Sequence, residues 1–420
     1  MADCGHEITK ERIYLFSPAA CILMQVTFRQ TVSVDALQSA IGRAAARQAT
    51  LCSRAQLRAD GSAFFVPCEP APPHLCRIEP METPETVIRR EMRTPFAIEQ
   101  GEWMRHSIAE TDGKTVWFLA CHHMAGDGRS LLYFIEDVAA ALREPALTWD
   151  RQAFFALAAQ DEKGSLSAPM RWGLRVLNRQ WEKTKRVFSP EDRARITEAY
   201  WADRFLCMAH ATVGKRQLEN LLQACRRHRV TLTSAWLAAV LLSTTGVMDA
   251  GIAVDIRPDG FTGMANLATG IGVRCARRGE LWSAAQTIHR RMRQMLADGG
   301  KRDFLLHFLR ALSPTLIDAA YFAAYDGLES GAARRVSVMF GYDGHPKSCS
   351  VTNLLRAPLR GDTVERIAFY PPMVPNAKRL FGMVTTGGTL EITLQSFAGE
   401  PEPKALLDAV TERLYRACEA

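Results

Sequence analysis

Two spacings of apolar residues alternate along the chain. CILMQVTFRQ (21–30) and TVWFLACHH (115–123) are apolar runs of strand length. Between them, TVSVDALQSAIGRAAARQATL has a helical period. Ser33 is placed to cap that helix, and Val34, Leu37, Ile41 and Ala45 fall on one face. SAFFVP (62–67) reads as a strand, and the proline-rich CEPAPPHLCRIEPMETPE reads as loop. ETVIRREMRTPF predicts a short helix that stops before Pro95. WMRHSIAE and TVWFLACHH flank Asp112-Gly113, which predicts a hairpin. GRSLLYFIEDVAAALRE then predicts a helix with Leu131, Leu132, Ile135, Val138 and Leu142 near one face.

The pattern changes across 145–200. MRWGLRVLNRQWEKTKRVF is basic and holds Trp172 and Trp181, and SPED (189–192) is a helix-start signal. A second half follows with a strand RFLCMAHATV, a helix KRQLENLLQACRRHR and a buried-type helix TSAWLAAVLLST. GIAVDIRPDG predicts a strand running into a turn. RRVSVMFGYDG, CSVTNLL, ERIAFYPP, LFGMVTTGGTLEITLQSF and a helical tail complete the chain. Both halves mix strands and helices. The expected fold class is α/β with mixed sheets, in two domains spanning 1–185 and 186–420 with a cleft between them.

Composition narrows this picture. A chain of 420 residues with 47% hydrophobic residues is long enough for two cores. The net charge of +7 is mild and dispersed, so nucleic acid is not an expected partner. Eleven cysteines with no C-x-x-C pair signal neither a zinc site nor a disulfide framework. The charged start MADCGHEITKERIY does not resemble a signal peptide, and AWLAAVLL (235–242) is too short to span a bilayer. A cytoplasmic, monomeric enzyme is expected.

The chemistry concentrates in HHMAGDG (122–128). On a strand, His122 and His123 point to opposite faces, which argues against joint metal chelation. His123 with Asp127 leaves a metal site short of a third ligand. Cys121 shares the face of His123 and offers a thiol reading, but no activating neighbour is visible. Gly126 and Gly128 permit tight backbone approaches. Asp127 can cap the following helix or pair with an arginine. A neutral histidine held at such a strand end is suited to take a proton near neutral pH.

These residues resemble the HHxxxDG motif of the condensation-domain and CoA-dependent acyltransferase superfamily, which includes chloramphenicol acetyltransferase. PFAIEQGEWMRHSIAE resembles the segment that precedes the motif, with Arg105 at the family's arginine. VTLTSAWLAAVLLS and VDIRPDG resemble second-domain elements. The resemblance implies two chloramphenicol-acetyltransferase-like domains in a V around a tunnel. It implies His123 as base, with His122, Asp127 and Gly128 shaping the loop. A backbone N–H near Gly128 is a candidate oxyanion donor. Thr352 and Asn353 are candidate tunnel-lining residues, in a segment where the family often has Ser-Asn-hydrophobic-Gly.

Two positions depart from that pattern. The expected Leu-Arg pair after the first helix reads Leu51-Cys52, which leaves Arg54 as a substitute partner for Asp127. Leu355 stands where the family has glycine. Arg257 in VDIRP is expected to form a strand-end salt bridge.

The functional expectation is an acyltransferase. Its donor is an acyl thioester on coenzyme A or on the phosphopantetheine of an acyl-carrier protein. Its acceptor is a small hydroxyl or amine. No tightly bound cofactor or metal is expected. The alternatives are a peptide-forming condensation enzyme using carrier-bound substrates in trans, and a non-catalytic binding relative. The basic tryptophan segment 170–188 is expected to be an inter-domain helix with both tryptophans on the core. Docking of a carrier protein, of coenzyme A phosphates or of an anionic membrane is its other reading.

Overall fold

The computed structural model of the chain describes residues 5–70, 72–79, 81–155, 164–245, 247–277, 279–344 and 346–419. The first half contains strands β1 (His6–Glu7), β2 (Cys21–Phe28), β3 (Ser53–Leu57), β4 (Ala63–Pro67), β5 (Leu75–Arg77), β6 (Met104–Thr111) and β7 (Lys114–His122). Its helices are α1 (Val34–Arg47), α2 (Pro84–Arg93), α3 (Gly128–Arg143) and α4 (Ala168–Glu182), and Lys10–Tyr14 forms a 3₁₀ turn. The second half contains α5 (Pro190–Trp201), β8 (Leu206–Val213), α6 (Lys215–Arg227), α7 (Leu232–Ser243), β9 (Val247–Asp255) and β10 (Ala268–Ala276). A helical block follows: α8 (Leu281–Ala297), α9 (Gly299–Arg302), α10 (Phe304–Ala311), α11 (Pro314–Tyr325) and α12 (Gly331–Phe340). The chain finishes with β11 (Cys349–Arg356), β12 (Val364–Tyr370), β13 (Arg379–Thr386), β14 (Thr389–Phe397) and α13 (Pro403–Glu419).

Local signals explain many of these boundaries. Ser33 Oγ accepts from Ala36 N at 3.3 Å and starts α1, whose Leu37 and Ile41 are buried. Asp112 and Gly113 both have positive φ, which suits the two-residue turn between β6 and β7. Ser189 and Asp192 form a capping box at the start of α5. RRVSVMFGYDG is largely the helix α12, whose buried face is Ala332, Ala333, Val336 and Ser337.

Two larger sheets organise the molecule. One runs β12-β2-β7-β6-β5 and the other β10-β9-β11-β13-β14-β8. The edge strand β12 comes from the second half and pairs antiparallel with β2, with Ala368 opposite Gln25. The buried side chains form two clusters. One joins residues 8–206 to α10–α12 and to β12, and the other is confined to residues 209–292 and 349–414. A buried ion pair between Arg12 and Asp318, and a Tyr321 hydroxyl donating to Ile13 O at 2.7 Å, tie α11 to the amino-terminal turn. The sheets meet where β12 crosses β13 and β14. A Cβ on Gly382 would lie 2.1 Å from Phe369 O, so only glycine permits this approach. Gln395 Nε2 donates to Pro371 O at 2.8 Å beside it.

Candidate active site

β7 delivers the histidine pair to the junction of the two halves. The ladder continues past the strand, because His123 N donates to Ala20 O at 2.8 Å. The rings then diverge, as alternation predicts. His122 packs edge-on against Phe96 and Trp103, with centroids 5.6 and 6.0 Å away. Its Nδ1 accepts from Met124 N at 3.3 Å. Burial, followed by the positive charges of Arg193 and Arg105, holds it neutral, well below the usual imidazole range.

His123 has a different environment. Its Nδ1 lies 2.9 Å from Gly126 O. A carbonyl only accepts, so Nδ1 carries the proton and Nε2 keeps its lone pair. Tyr14 stacks on the ring at 4.2 Å. Asn266 Nδ2 donates to His123 O at 3.0 Å and lies 3.3 Å from Nδ1. Lys10 Nζ donates to Asn266 O, so an ammonium sits one residue from the ring. Desolvation pulls the His123 pKa down to about 4, against the raising effects of Gly126 O and Asp127, and Lys10 adds to the lowering. Burial also lowers Lys10 and raises the neighbouring Glu11 and Tyr14, the last to about 12.

Asp127 is fully engaged. It is the N-cap of α3, with Oδ1 accepting from Ser130 N at 2.8 Å. The same oxygen accepts from Arg257 Nη2 at 2.8 Å, and Oδ2 accepts from Leu267 N at 2.7 Å. Both oxygens are therefore taken by protein donors. Among the described residues no group of three or more His, Cys, Asp or Glu is placed to hold a metal ion.

The partner of Asp127 corrects two expectations. Arg54 sits in the small sheet β1-β4-β3, opposite Val66, while Arg257 holds the carboxylate. Arg257 is also more than a local strand-end residue, since its contact with Asp255 is a distant 3.9 Å. It sits at the start of the segment 256–267, which crosses from β9 to the first half. Thr50 Oγ1 donates to Met264 O at 2.9 Å, and Met264 N donates to Gln48 Oε1 at 2.9 Å. Ser130 Oγ donates to Ala265 O at 2.6 Å. Every one of these bonds joins residues from opposite halves.

The glycines act through close approach. Neither has a positive φ. A Cβ on Gly126 would lie 2.6 Å from Met264 Cε, and one on Gly128 would lie 2.7 Å from Leu354 Cδ2. Gly128 thereby seats the start of α3 against β11, where Arg129 Nη1 donates to Leu354 O at 2.9 Å. Thr352 and Asn353 lie on this strand. Both ends of the Asn353 amide are engaged, Nδ2 donating to Thr233 Oγ1 of α7 at 3.2 Å and Oδ1 accepting from Leu355 N at 2.9 Å. Leu355, at the family's glycine position, has a φ of 60° and keeps the left-handed turn that glycine would adopt freely. Cys121 is completely buried and its thiol is raised well above its ordinary value by burial, which removes the thiolate reading.

Sequence reasoning did not single out Lys10, Tyr14 or Asn266. They precede β2 or sit in an irregular loop, and no local period marks them. VDIRP marks Arg257 in the sequence, but its partner Asp127 is 130 positions away.

No protein-family model and no curated protein matches the sequence. Solved structures do match over nearly the whole chain. The condensation domain of the Monacolin K polyketide synthase MokA aligns with a TM-score of 0.64 at 13% identity, covering 99% of this chain and 97% of that one. Polyketide synthase associated protein 5 from Mycobacterium tuberculosis aligns with a TM-score of 0.60 at 16% identity, covering 99% of each chain. The first condensation domain of the calcium-dependent antibiotic synthetase, in complex with a substrate analogue, aligns with a TM-score of 0.64 at 15% identity, covering 100% and 97%. With its two larger sheets meeting at β12, the chain has the two-lobed fold of these condensation domains.

Proposed function

We propose that the protein is an acyltransferase that moves an acyl group from a thioester to a hydroxyl or amine, with His123 as general base. The observation that carries this is the fixed tautomer. Nδ1–H is held on Gly126 O at 2.9 Å, so the basic nitrogen is Nε2. Nε2 takes the proton of the acceptor O–H or N–H as the new bond to the thioester carbonyl carbon forms. The tetrahedral oxyanion then collapses, the C–S bond breaks, and the imidazolium returns its proton to the departing thiolate. The first N–H groups of α3 have no partner within the helix, and that of Gly128 is the candidate donor to the oxyanion. Asp127 and His122 hold the loop. No metal or covalent enzyme intermediate enters the scheme.

The donor thiol belongs to coenzyme A or to a carrier-protein phosphopantetheine. A second reading keeps the base and makes both substrates carrier-bound, as in a condensation enzyme. The condensation domains among the structural neighbours favour it. Thiol release from a panel of acyl-coenzyme A, acyl-pantetheine and carrier-protein-loaded acyl donors, with alcohol and amine acceptors, tests both. His123→Ala is expected to lose at least about a hundredfold in rate. A folded variant with full turnover would refute the base assignment. Turnover of carrier-loaded donors alone would select the second reading.

A further inference from the structure

The basic tryptophan segment places only one of its two tryptophans on the core. Trp181 is buried, and its Nε1 donates to Thr315 Oγ1 at 2.9 Å. Trp172, on the same helix α4, is 65% exposed. The buried face of α4 is Leu174, Leu177 and Trp181. Trp172, Arg175 and Arg179 follow one another at helical spacing on the opposite face, and all three are exposed.

α4 packs against α10 and α12. Asn178 anchors it by donating to Ala311 O and accepting from Ser313 N, each at 2.9 Å. Phe308 of α10 meets Phe340 of α12 at 5.5 Å. The outer faces of these neighbours repeat the composition of α4. On α12, Val338 and Met339 are each 44% exposed, and each lies one helical turn from an exposed arginine, Arg334 or Arg335. Phe304 of α10 is 43% exposed. Arg175, Arg179, Arg334 and Arg335 form no ion pair among the described residues. The three helices contain one exposed acid, Glu182 at the end of α4. Glu329 and Asp343 flank α12 outside its ends.

We propose that the outer faces of α4, α10 and α12 dock on an anionic lipid bilayer, with Trp172, Val338 and Met339 entering the headgroup layer and the four arginines facing lipid phosphates. Exposed tryptophan and aliphatic side chains among unpaired arginines suit a surface that is apolar below and anionic above. Arginine stems reach along the apolar layer while the guanidinium stays at the phosphates. A second copy of the chain would place like charges together, so self-association is the poorer fit.

The test uses the full chain with phosphatidylcholine vesicles, with or without phosphatidylglycerol. Cosedimentation is expected only with phosphatidylglycerol, and salt is expected to weaken it. Each of Arg175→Gln, Arg179→Gln, Arg334→Gln and Arg335→Gln should weaken binding roughly fivefold. Arg216→Gln, on α6, should leave it unchanged. Brominated lipid should quench tryptophan emission in the wild type, and less in Trp172→Phe, an exposed substitution with no folding cost. Absence of phosphatidylglycerol-dependent binding, or quenching unchanged in Trp172→Phe, overturns the proposal. So does binding of polyglutamate through the same arginines without vesicle binding, which would point to an acidic protein instead.

Discussion

Arg257 Nη2 donates to Asp127 Oδ1 at 2.8 Å, joining residues 130 positions apart in the chain. Both side chains are almost fully buried, at 4% and 5% exposure. Removing one partner strands the other charge away from water. Arg257→Ala is therefore expected to destabilise the fold by about 3–5 kcal/mol. Arg257→Lys should recover only part of this, because a single ammonium that replaces Nη2 at Asp127 Oδ1 and Ser130 Oγ leaves Gly263 O, which Nη1 reaches at 3.2 Å, without its donor. Urea unfolding of the two variants checks the order. Equal stability of Arg257→Ala and wild type would show that the pair holds nothing together.

Lys10 and Asp127 act on His123 with opposite signs. A folded value of about 4 keeps the ring neutral throughout the neutral range. The acid limb of kcat/KM is thus expected near pH 4, below the ordinary imidazole value. In Lys10→Met the nearby positive charge is gone, the imidazolium is less disfavoured, and the limb should move to higher pH. Lys10→Arg should keep it in place. A limb that stays fixed in Lys10→Met would exclude electrostatic positioning by this residue.

Acid stability follows from the same burial. His106 is pushed down to about 3 and His123 to about 4 by desolvation, and His122 also lies well below 6.5. These groups are neutral in the folded chain and protonate in the unfolded chain below 6.5. Their contribution is complete above pH 6.5 and declines as pH falls to the folded values. The slope is about 1.4 kcal/mol per pH unit for each histidine. His106→Gln can still accept from Trp117 Nε1, which lies 3.3 Å from His106 Nδ1. It should flatten the stability curve between pH 6.5 and about 3 by one proton. Urea midpoints across this range measure it, and an unchanged slope would contradict the burial argument.

Gly128→Ala would place a methyl 2.7 Å from Leu354 Cδ2. Overpacking of this kind costs about 1–3 kcal/mol. Leu354→Ala opens the space, so the double variant should lose less than the sum of the single changes. Strict additivity in thermal unfolding would show that the two positions do not touch.

Leu355 holds a φ of 60° while 65% exposed, so its side chain contributes little burial. Leu355→Gly should be neutral or stabilising by up to about 1 kcal/mol, because the left-handed strain is relieved. A loss of stability would mean that the side chain has an apolar partner in solution.

Local physics made much of the fold legible. Ser33 and Ser189 announce α1 and α5 through caps that involve neighbours three residues away. Asp112-Gly113 announces a turn through its own backbone preference. Strand alternation alone separates the two histidines, and Asp127-Gly128 marks the start of α3. Trp172 and Trp181 show the limit of composition. They share one basic helix, yet only the helical period, read against the packing of α10 and α12, separates the exposed ring from the buried one.

The sequence by itself determined the strand, the HHMAGDG turn and the helix, since caps, glycines and side-chain alternation act within a few residues. Only the tertiary structure decided that Arg257 rather than Arg54 neutralises Asp127, and that Asn266, Lys10 and Tyr14 surround His123. Those contacts depend on the segment 256–267 reaching across from the second half and on the amino-terminal turn packing against α10 and α11. The partners in each of these contacts lie more than a hundred residues apart. No periodicity encodes a distance that only the packing of two sheets and their crossing strand brings to hydrogen-bond length.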